Sequence, residues 1–377
     1  MPAYKNNLEV LIKQDTKQGM GLIDHEQTDT FHMWKFRGGS TTIYEENSVY
    51  FESNDTKSNK KILLKVNKQT NQYEIILSVT QPTFIVVKDI KSSSGSEYPI
   101  VVNSIIRLGR VEYRVFEERN IQMEILHAPI KHQDCQQIND INKIYQCRFC
   151  FMEGNQSRDQ LFLTNICKCA GNSQAVHLEC MRYWVDSNIT REETQFGLSL
   201  KWKKQHECTI CKESLPIRVQ FENEYFDLFT LERPELQYIL VENVNREKNV
   251  CCEIYLIHAL LQDNIKLGRG FQCDIKAQDI TVSRHHATIK LSKSNFVIED
   301  NKSRFGTLVS INQKCEIDCA ACGFQIGKLL INLNQQDQIL KGAPSTQHKL
   351  TQLPQISKQL EEDEPQMDDD SFQLENK

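Results

Sequence analysis

No stretch of this chain approaches the roughly 18 uninterrupted apolar residues of a membrane-spanning helix. Its opening residues, MPAYKNNLEVLIKQDTKQG, also lack the apolar core of a secretory signal. These absences predict an intracellular protein, cytoplasmic or nuclear, neither membrane-spanning nor secreted. In a reducing compartment its 14 cysteines serve as ligands or buried thiols rather than disulfides. A basic excess is missing too: 45 Lys and Arg face 50 Asp and Glu, a net −5 at pH 7. From Lys341 onward four lysines face eight acids, so −4 of that charge sits in the tail. The remainder is near neutral and carries no electrostatic footprint for nucleic acid. The tail QLEEDEPQMDDDSFQLENK, with few apolar residues and a block of like charge, is expected to be disordered. The chain as a whole is 39% hydrophobic and 377 residues long, enough for two or three domains with cores of their own.

What the chain does have is a patterned set of soft ligands. Cys147-x2-Cys150, Cys167-x-Cys169, His177-x2-Cys180 and Cys208-x2-Cys211 form four pairs, separated by 16, 7 and 27 residues. Zinc prefers four tetrahedral Cys or His ligands, and two ligands a few residues apart fit one turn or knuckle. Eight ligands in four pairs therefore make two closed sites, which keep no open position for water or substrate. Their work is folding, worth about 10–16 kcal/mol per site. The segment 177–187 has Leu178, Met181, Tyr183, Trp184 and Val185 at mixed helical spacing and reads as a short helix.

The spacing, with CRFC at 147–150, CKCAG at 167–171, VHLECMRYW at 176–184 and CTICK at 208–212, resembles the RING-CH (RING-variant) domain of the RING-CH ubiquitin ligases. A histone-reading PHD finger shares the ligand order but has a wider second pair and a shorter run before the histidine. The resemblance implies interleaved ligands: Cys147, Cys150, His177 and Cys180 on one zinc, Cys167, Cys169, Cys208 and Cys211 on the other. It also implies an apolar groove for a ubiquitin-conjugating enzyme charged with ubiquitin, built here by Phe149 and Trp184, with Lys212 donating hydrogen bonds. Catalysis in such domains is positioning. The final gap is longer than usual for the family, and REETQFGLSLKWKKQHE at 191–207 is expected to fill it as an extended helix or loop.

A second module starts near residue 225. Alternation in ATIKL (Ala287, Ile289, Leu291) and FVIED (Phe296, Ile298) predicts half-buried strands, with Gly, Asn, Ser and Asp in the turns. Short strands at such spacing suggest a β-sandwich. Its turns gather Arg269, Ser283, Arg284 and Ser303, the guanidinium and hydroxyl groups a phosphate needs. The pattern G-R…S-R-x-H…D-x-x-S-x-x-G-T looks like a forkhead-associated (FHA) domain, a phosphothreonine reader. By that resemblance Arg269 and Ser283 grip phosphate, and Arg284 and Ser303 contact phosphate or flanking peptide. Gly268, His286, Gly306 and Thr307 build the loops. Phe305-Gly306 stands where the family commonly has Asn-Gly, which puts a peptide-backbone contact in doubt. The cysteines of CEIDCAAC (Cys315, Cys319, Cys322) read as small, mostly buried thiols.

An internal repeat points to one more module. FQIGKLLINL at 324–333 matches IRLGRVEYRV at 106–115, and DNKSRFGT at 300–307 is echoed by DIKSSSGS at 89–96. The upstream copy lacks the Gly-Arg and Ser-Arg-x-His pairs. The expected fold class is multidomain and mainly β, with FHA-like β-sandwiches flanking a small α+β RING-CH cross-brace zinc domain. The expected domains are a degenerate FHA-like sandwich at 1–130, RING-CH at 140–220, FHA at 225–338 and an acidic tail at 339–377. The expected function is a RING-type ubiquitin-protein ligase with two zinc ions that selects phosphothreonine-containing partners, with neither nucleic acid nor membrane as a partner. The alternative is a non-catalytic phosphoprotein adaptor whose zinc domain is purely structural.

Overall fold

A computed structural model describes residues 82–91, 96–120, 125–127, 144–154, 160–221, 224–245, 250–259, 263–311, 314–317, 321–327 and 329–337, with six strands between residues 6 and 77. The acidic tail and Cys319 lie outside the described residues. The fold is mainly β, and Leu178–Ser187 is the one α-helix among the described residues.

Thirteen strands join in the largest sheet, in which Ile189–Thr194, Gly197–Trp202, Val250–His258, Tyr238–Asn245, Val111–Arg119, Ile105–Leu108, Thr307–Ile311 and Thr83–Lys91 lie side by side. A five-stranded sheet holds Ile275–Lys276, Asn264–Gly268, Ala287–Ser292, Asn295–Asp300 and Glu97–Pro99. The two face each other across one core, where Ile265, Leu267, Ile289, Phe296 and Ile298 meet Ile106, Leu108, Tyr113, Ile239, Ile257 and Val309.

The opposite face of the large sheet is buried as well. Along Tyr238–Asn245, Ile239 and Val241 enter the first core, whereas Tyr238 and Leu240 enter a second one. Along Val250–His258, Tyr255 and Ile257 alternate in the same way with Ile254 and Leu256. Successive strand residues point to opposite faces, so a strand covered on both sides must be apolar throughout, as the runs YILV and IYLI are. The second core is completed by the cysteine-bearing segment, through Phe162, Val176, Met181 and Val185.

The residues expected to form a helix or loop at 191–207 instead begin in a β-hairpin, Ile189–Thr194 with Gly197–Trp202, whose inner strand pairs with Val250–His258. The reason lies in the sequence GLSLKW, where Leu200 and Trp202 fall on the face of the second core with period 2. Gly197 makes the turn at φ 141°, and a Cβ there would stand 2.2 Å from the Leu256 carbonyl oxygen. The zinc segment thus extends the large sheet. An ion network reinforces this junction: Arg218 pairs with Asp227 (2.6 Å) and with Glu117, Arg233 pairs with Glu117 (2.6 Å), and the Tyr238 hydroxyl donates to Glu117 (2.6 Å).

The strands of the internal repeat have crossed over. Ile105–Leu108 pairs with Thr307–Ile311, Val111–Arg119 with Tyr238–Asn245, and Glu97–Pro99 with Asn295–Asp300. Reciprocally, Ala321–Ile326 pairs with Thr83–Lys91, Leu329–Asp337 with Asn6–Gln14, and Lys314–Ile317 with Gln72–Leu77. The last strands of each copy therefore complete the sheets of the other.

Candidate functional site

Two knuckles of the same geometry carry the first and last ligand pairs. In one, the Cys147 amide donates to the Met152 carbonyl (3.0 Å) and Phe151 N–H returns to the Cys147 carbonyl (2.8 Å). In the other, the Cys208 amide donates to Glu213 (2.8 Å) and Lys212 N–H to Cys208 (3.0 Å). The fifth residue of each, Phe151 (φ 62°) and Lys212 (φ 60°), takes the left-handed conformation that closes the turn. The helix Leu178–Ser187 presents Cys180 from its first turn, while Leu178, Met181 and Val185 bury its inner face.

These elements gather two clusters, Cys147 with Cys150, His177 and Cys180, and Cys167 with Cys169, Cys208 and Cys211. Within each cluster all ligand atoms lie within 4.8 Å of one another. A zinc tetrahedron with bonds of about 2.3 Å sets sulfurs roughly 3.8 Å apart, and Cys169 Sγ stands 3.7 Å from Cys208 Sγ. His177 Nδ1 lies 3.3 Å from Cys150 Sγ and 3.7 Å from Cys180 Sγ. The donor chemistry and spacing fit two zinc sites, with the interleaving that the resemblance implies. Burial works against the Cys208 thiolate, yet the amides of Cys211 and Ile210 aim at its sulfur and bring the thiol down to about 6.

Two supporting residues have no sequence signature. Gln160 Nε2 sits 2.9 Å from His177 Nε2; exchanging the amide's look-alike nitrogen and oxygen lets Nε2–H donate to Oε1 and leaves Nδ1 for metal. Arg148 belongs to the first knuckle but reaches the second cluster, placing Nη1 3.6 Å from Cys167 Sγ, 3.8 Å from Cys208 Sγ and 3.2 Å from the Ser173 carbonyl. Four thiolates on a divalent ion would leave a charge of −2, of which this guanidinium offsets one unit.

On the surface beside the clusters, the rings of Phe149 and Trp184 stack with centroids 6.1 Å apart and planes 17° from parallel. Both are half-buried against the second core. Ile210, in the last knuckle where Phe149 stands in the first, is 59% exposed. Lys212 is exposed, with Nζ 3.8 Å from Glu207.

The second candidate site lies on loops after Asn264–Gly268, before Ala287–Ser292 and after Asn295–Asp300. Arg269 N–H donates to the Ser283 carbonyl (3.1 Å) and Gly270 N–H to the Arg284 carbonyl (3.0 Å). Gly268 permits that approach, since a Cβ would stand 2.3 Å from the Arg284 carbonyl oxygen. His286, fully buried, ties two loops together: its Nδ1 accepts from Ser283 N–H (3.1 Å) and its Nε2 donates to the Gly306 carbonyl (3.2 Å). Burial holds its pKa below the ordinary histidine value. Arg269 and Arg284 are exposed and, among the described residues, form no ion pair. Ser283 is half-buried between them.

Ser303, expected at the surface with these groups, is 2% exposed. Its hydroxyl donates to Asp300 Oδ2 (2.5 Å) and its amide to Asp300 Oδ1 (2.9 Å), while Thr307 shares the same carboxylate (2.7 Å). A buried aspartate needs those donors, so Ser303 builds the loop. The exposed side chain at that corner is Arg304, whose amide donates to Ser283 Oγ (3.2 Å). Only the proximity of its amide to Ser283 singles it out, and sequence spacing does not carry that.

The RING-variant family model matches residues 147–211 and the FHA family model residues 265–317. The chain contains a RING-variant domain and an FHA domain. Among curated proteins it is similar to the E3 ubiquitin-protein ligase MARCHF7 of Rattus norvegicus and of Mus musculus, each 36% identical over 87 residues. The MARCHF7 of Pongo abelii is 34% identical over the same length. The match covers 23% of this chain and 11% of the rodent proteins, so the chain spans about a tenth of the length of these relatives. Among the described residues no helix is long and apolar enough to cross a membrane.

Proposed function

We propose that the protein is a RING-type ubiquitin-protein ligase. Its RING-variant domain holds two zinc ions and recruits a ubiquitin-conjugating enzyme charged with ubiquitin, and its FHA domain selects phosphothreonine-containing partners. The observation that carries the ligase reading is the Phe149–Trp184 stack, an apolar surface platform braced by the first zinc knuckle and by the helix that supplies Cys180. Closed zinc sites do no bond-making. The conjugating enzyme's thioester does, and the domain contributes orientation and proximity. The RING-variant match at 147–211 and the likeness to the MARCHF7 ligases over 87 residues support the same reading.

For the FHA domain, Arg269 offers a planar fork to phosphate and Ser283 a hydroxyl beside it, with Arg284 and Arg304 toward flanking peptide. A phosphothreonine carries about −1.5 to −2 charge at pH 7, and the exposed guanidiniums of Arg269 and Arg284 await an anion. Targeting then acts by raising local substrate concentration. The deciding experiment is auto-ubiquitination by the zinc-loaded full chain with a broad panel of charged conjugating enzymes. Discharge by at least one supports the ligase. Discharge by none leaves a phosphoprotein adaptor with a structural zinc domain.

A further inference from the structure

The crossed-over hairpin 105–119 brings a residue pair from the N-terminal copy against the anion-site loops. Its turn, Gly109-Arg110, rests on the segment 279–281, two residues before Ser283. Gly109 has φ +57°, and a Cβ there would stand 2.3 Å from Thr281 Oγ1. Arg110 N–H donates to Thr281 Oγ1 (3.0 Å), and its guanidinium reaches Asp279 through Nε (3.4 Å) and Nη2 (3.3 Å). Asp279 Oδ1 also accepts from Thr281 N–H (2.8 Å) and hydroxyl (2.6 Å). The pair is partly sheltered, Arg110 being 37% and Asp279 22% exposed. A second strut comes from the same half of the chain: Lys88 Nζ donates to the Ser303 carbonyl (3.3 Å), next to Arg304.

We infer that Gly109 and Arg110, from the repeat that lacks a phosphate grip of its own, are positioning residues for the Ser283–Arg284 loop of the FHA site. The N-terminal copy is then the frame of one phosphopeptide reader, not a second reader. This rests on the phosphothreonine reading above. Loop backbone held by a charged pair and a glycine-only contact is pre-organised, and pre-organisation is affinity without added contact to the ligand.

The test measures binding of a phosphothreonine peptide library and its unphosphorylated counterpart to the full zinc-loaded chain, with amide exchange followed at residues 279–284. Arg110→Ala is expected to weaken phosphopeptide binding roughly three- to tenfold, the effect of a charge-assisted hydrogen bond discounted for exposure. It should also raise amide exchange at 281–284 with unchanged zinc content. Arg110→Lys should recover most of the affinity. If Arg110→Ala lowers overall stability, Asp279→Asn breaks the same pair from the loop side and is read in the same way. Arg269→Ala is the control that removes the phosphate grip. If wild type binds, Arg269→Ala does not, and Arg110→Ala and Asp279→Asn bind as wild type with unchanged exchange, the inference is overturned. If wild type binds no phosphothreonine peptide, the phosphothreonine reading itself fails and this proposal falls with it.

Discussion

Glu117→Gln is expected to destabilise the chain severely while changing almost no volume. Glu117 is fully buried and accepts from Arg233 Nε (2.6 Å), the Tyr238 hydroxyl (2.6 Å) and Arg218, with His127 Nδ1 3.3 Å away. The β-bulge in Val111–Arg119, where the register skips between Val115 and Glu117, sets Glu117 opposite Leu240, so that it lies on the face of the second core. Removing its charge leaves Arg218, 5% exposed, and Arg233 to share Asp227 alone. Breaking a buried pair from one side costs about 3–5 kcal/mol, against about 1 kcal/mol or less for an exposed one. Urea unfolding at saturating zinc measures the difference, and a loss below about 1 kcal/mol would refute the reasoning.

The same carboxylate fixes the pH window. Burial acts to raise its pKa, but hydrogen bonds from His127 and Arg233 and the charges of Arg218 and Arg233 outweigh it and hold Glu117 far below the usual carboxylate range. A depressed folded value means its stabilisation is complete above the unfolded value of about 4.3 and is lost as pH falls through the folded one. The gap between wild type and Glu117→Gln should therefore stay constant from pH 7 to 5 and narrow only in stronger acid.

Three further outcomes concern the zinc domain. Cys167→Ser should lower zinc from two ions to one by elemental analysis, and one ion or none in folded wild-type protein would contradict the double site. Arg148→Gln, although Arg148 is no ligand and sits in the first knuckle, should speed zinc release from the Cys167 cluster to a chelator severalfold and leave the His177 cluster unaffected; equal acceleration at both sites would sink the charge argument. Phe149→Ala should keep both zinc ions and weaken conjugating-enzyme binding by about 1–3 kcal/mol, seen as slower auto-ubiquitination at limiting enzyme.

What was legible in the sequence was what short spacing encodes. Cys-x2-Cys pairs close knuckles locally, and the Gly-Arg and Ser-Arg-x-His runs lie within single turns. The helix at 178–187 follows from apolar residues at 178, 181 and 185. The place of Ser303 is not legible, because a hydroxyl in a turn has no visible direction in sequence. Its orientation is decided by Asp300, three residues away, which is buried and needs its donors. The hairpin within 191–207 leaves little trace in the sequence, because its alternation is short and its polar strand, ITREET, pairs at the outer edge of the sheet, where burial leaves almost no pattern.

The exchanged hairpins mark a deeper limit. Period-2 alternation identifies a strand and the face it buries, but backbone pairing is chemically the same with any neighbour of matching register. Two copies as alike as IRLGRVEYRV and FQIGKLLINL offer each sheet two acceptable closing hairpins. Selection then rests on contacts outside the repeat. On the described side, Gly109 and Arg110 fit Thr281 and Asp279, and Glu117 meets Arg218 and Arg233 at the zinc segment. The counterpart of Gly109-Arg110 in the C-terminal copy is Gly327-Lys328, and that of Glu117 is Gln335. The second hairpin thus lacks the carboxylate that Arg218 and Arg233 share, so charge distinguishes the two hairpins where hydrophobic pattern does not.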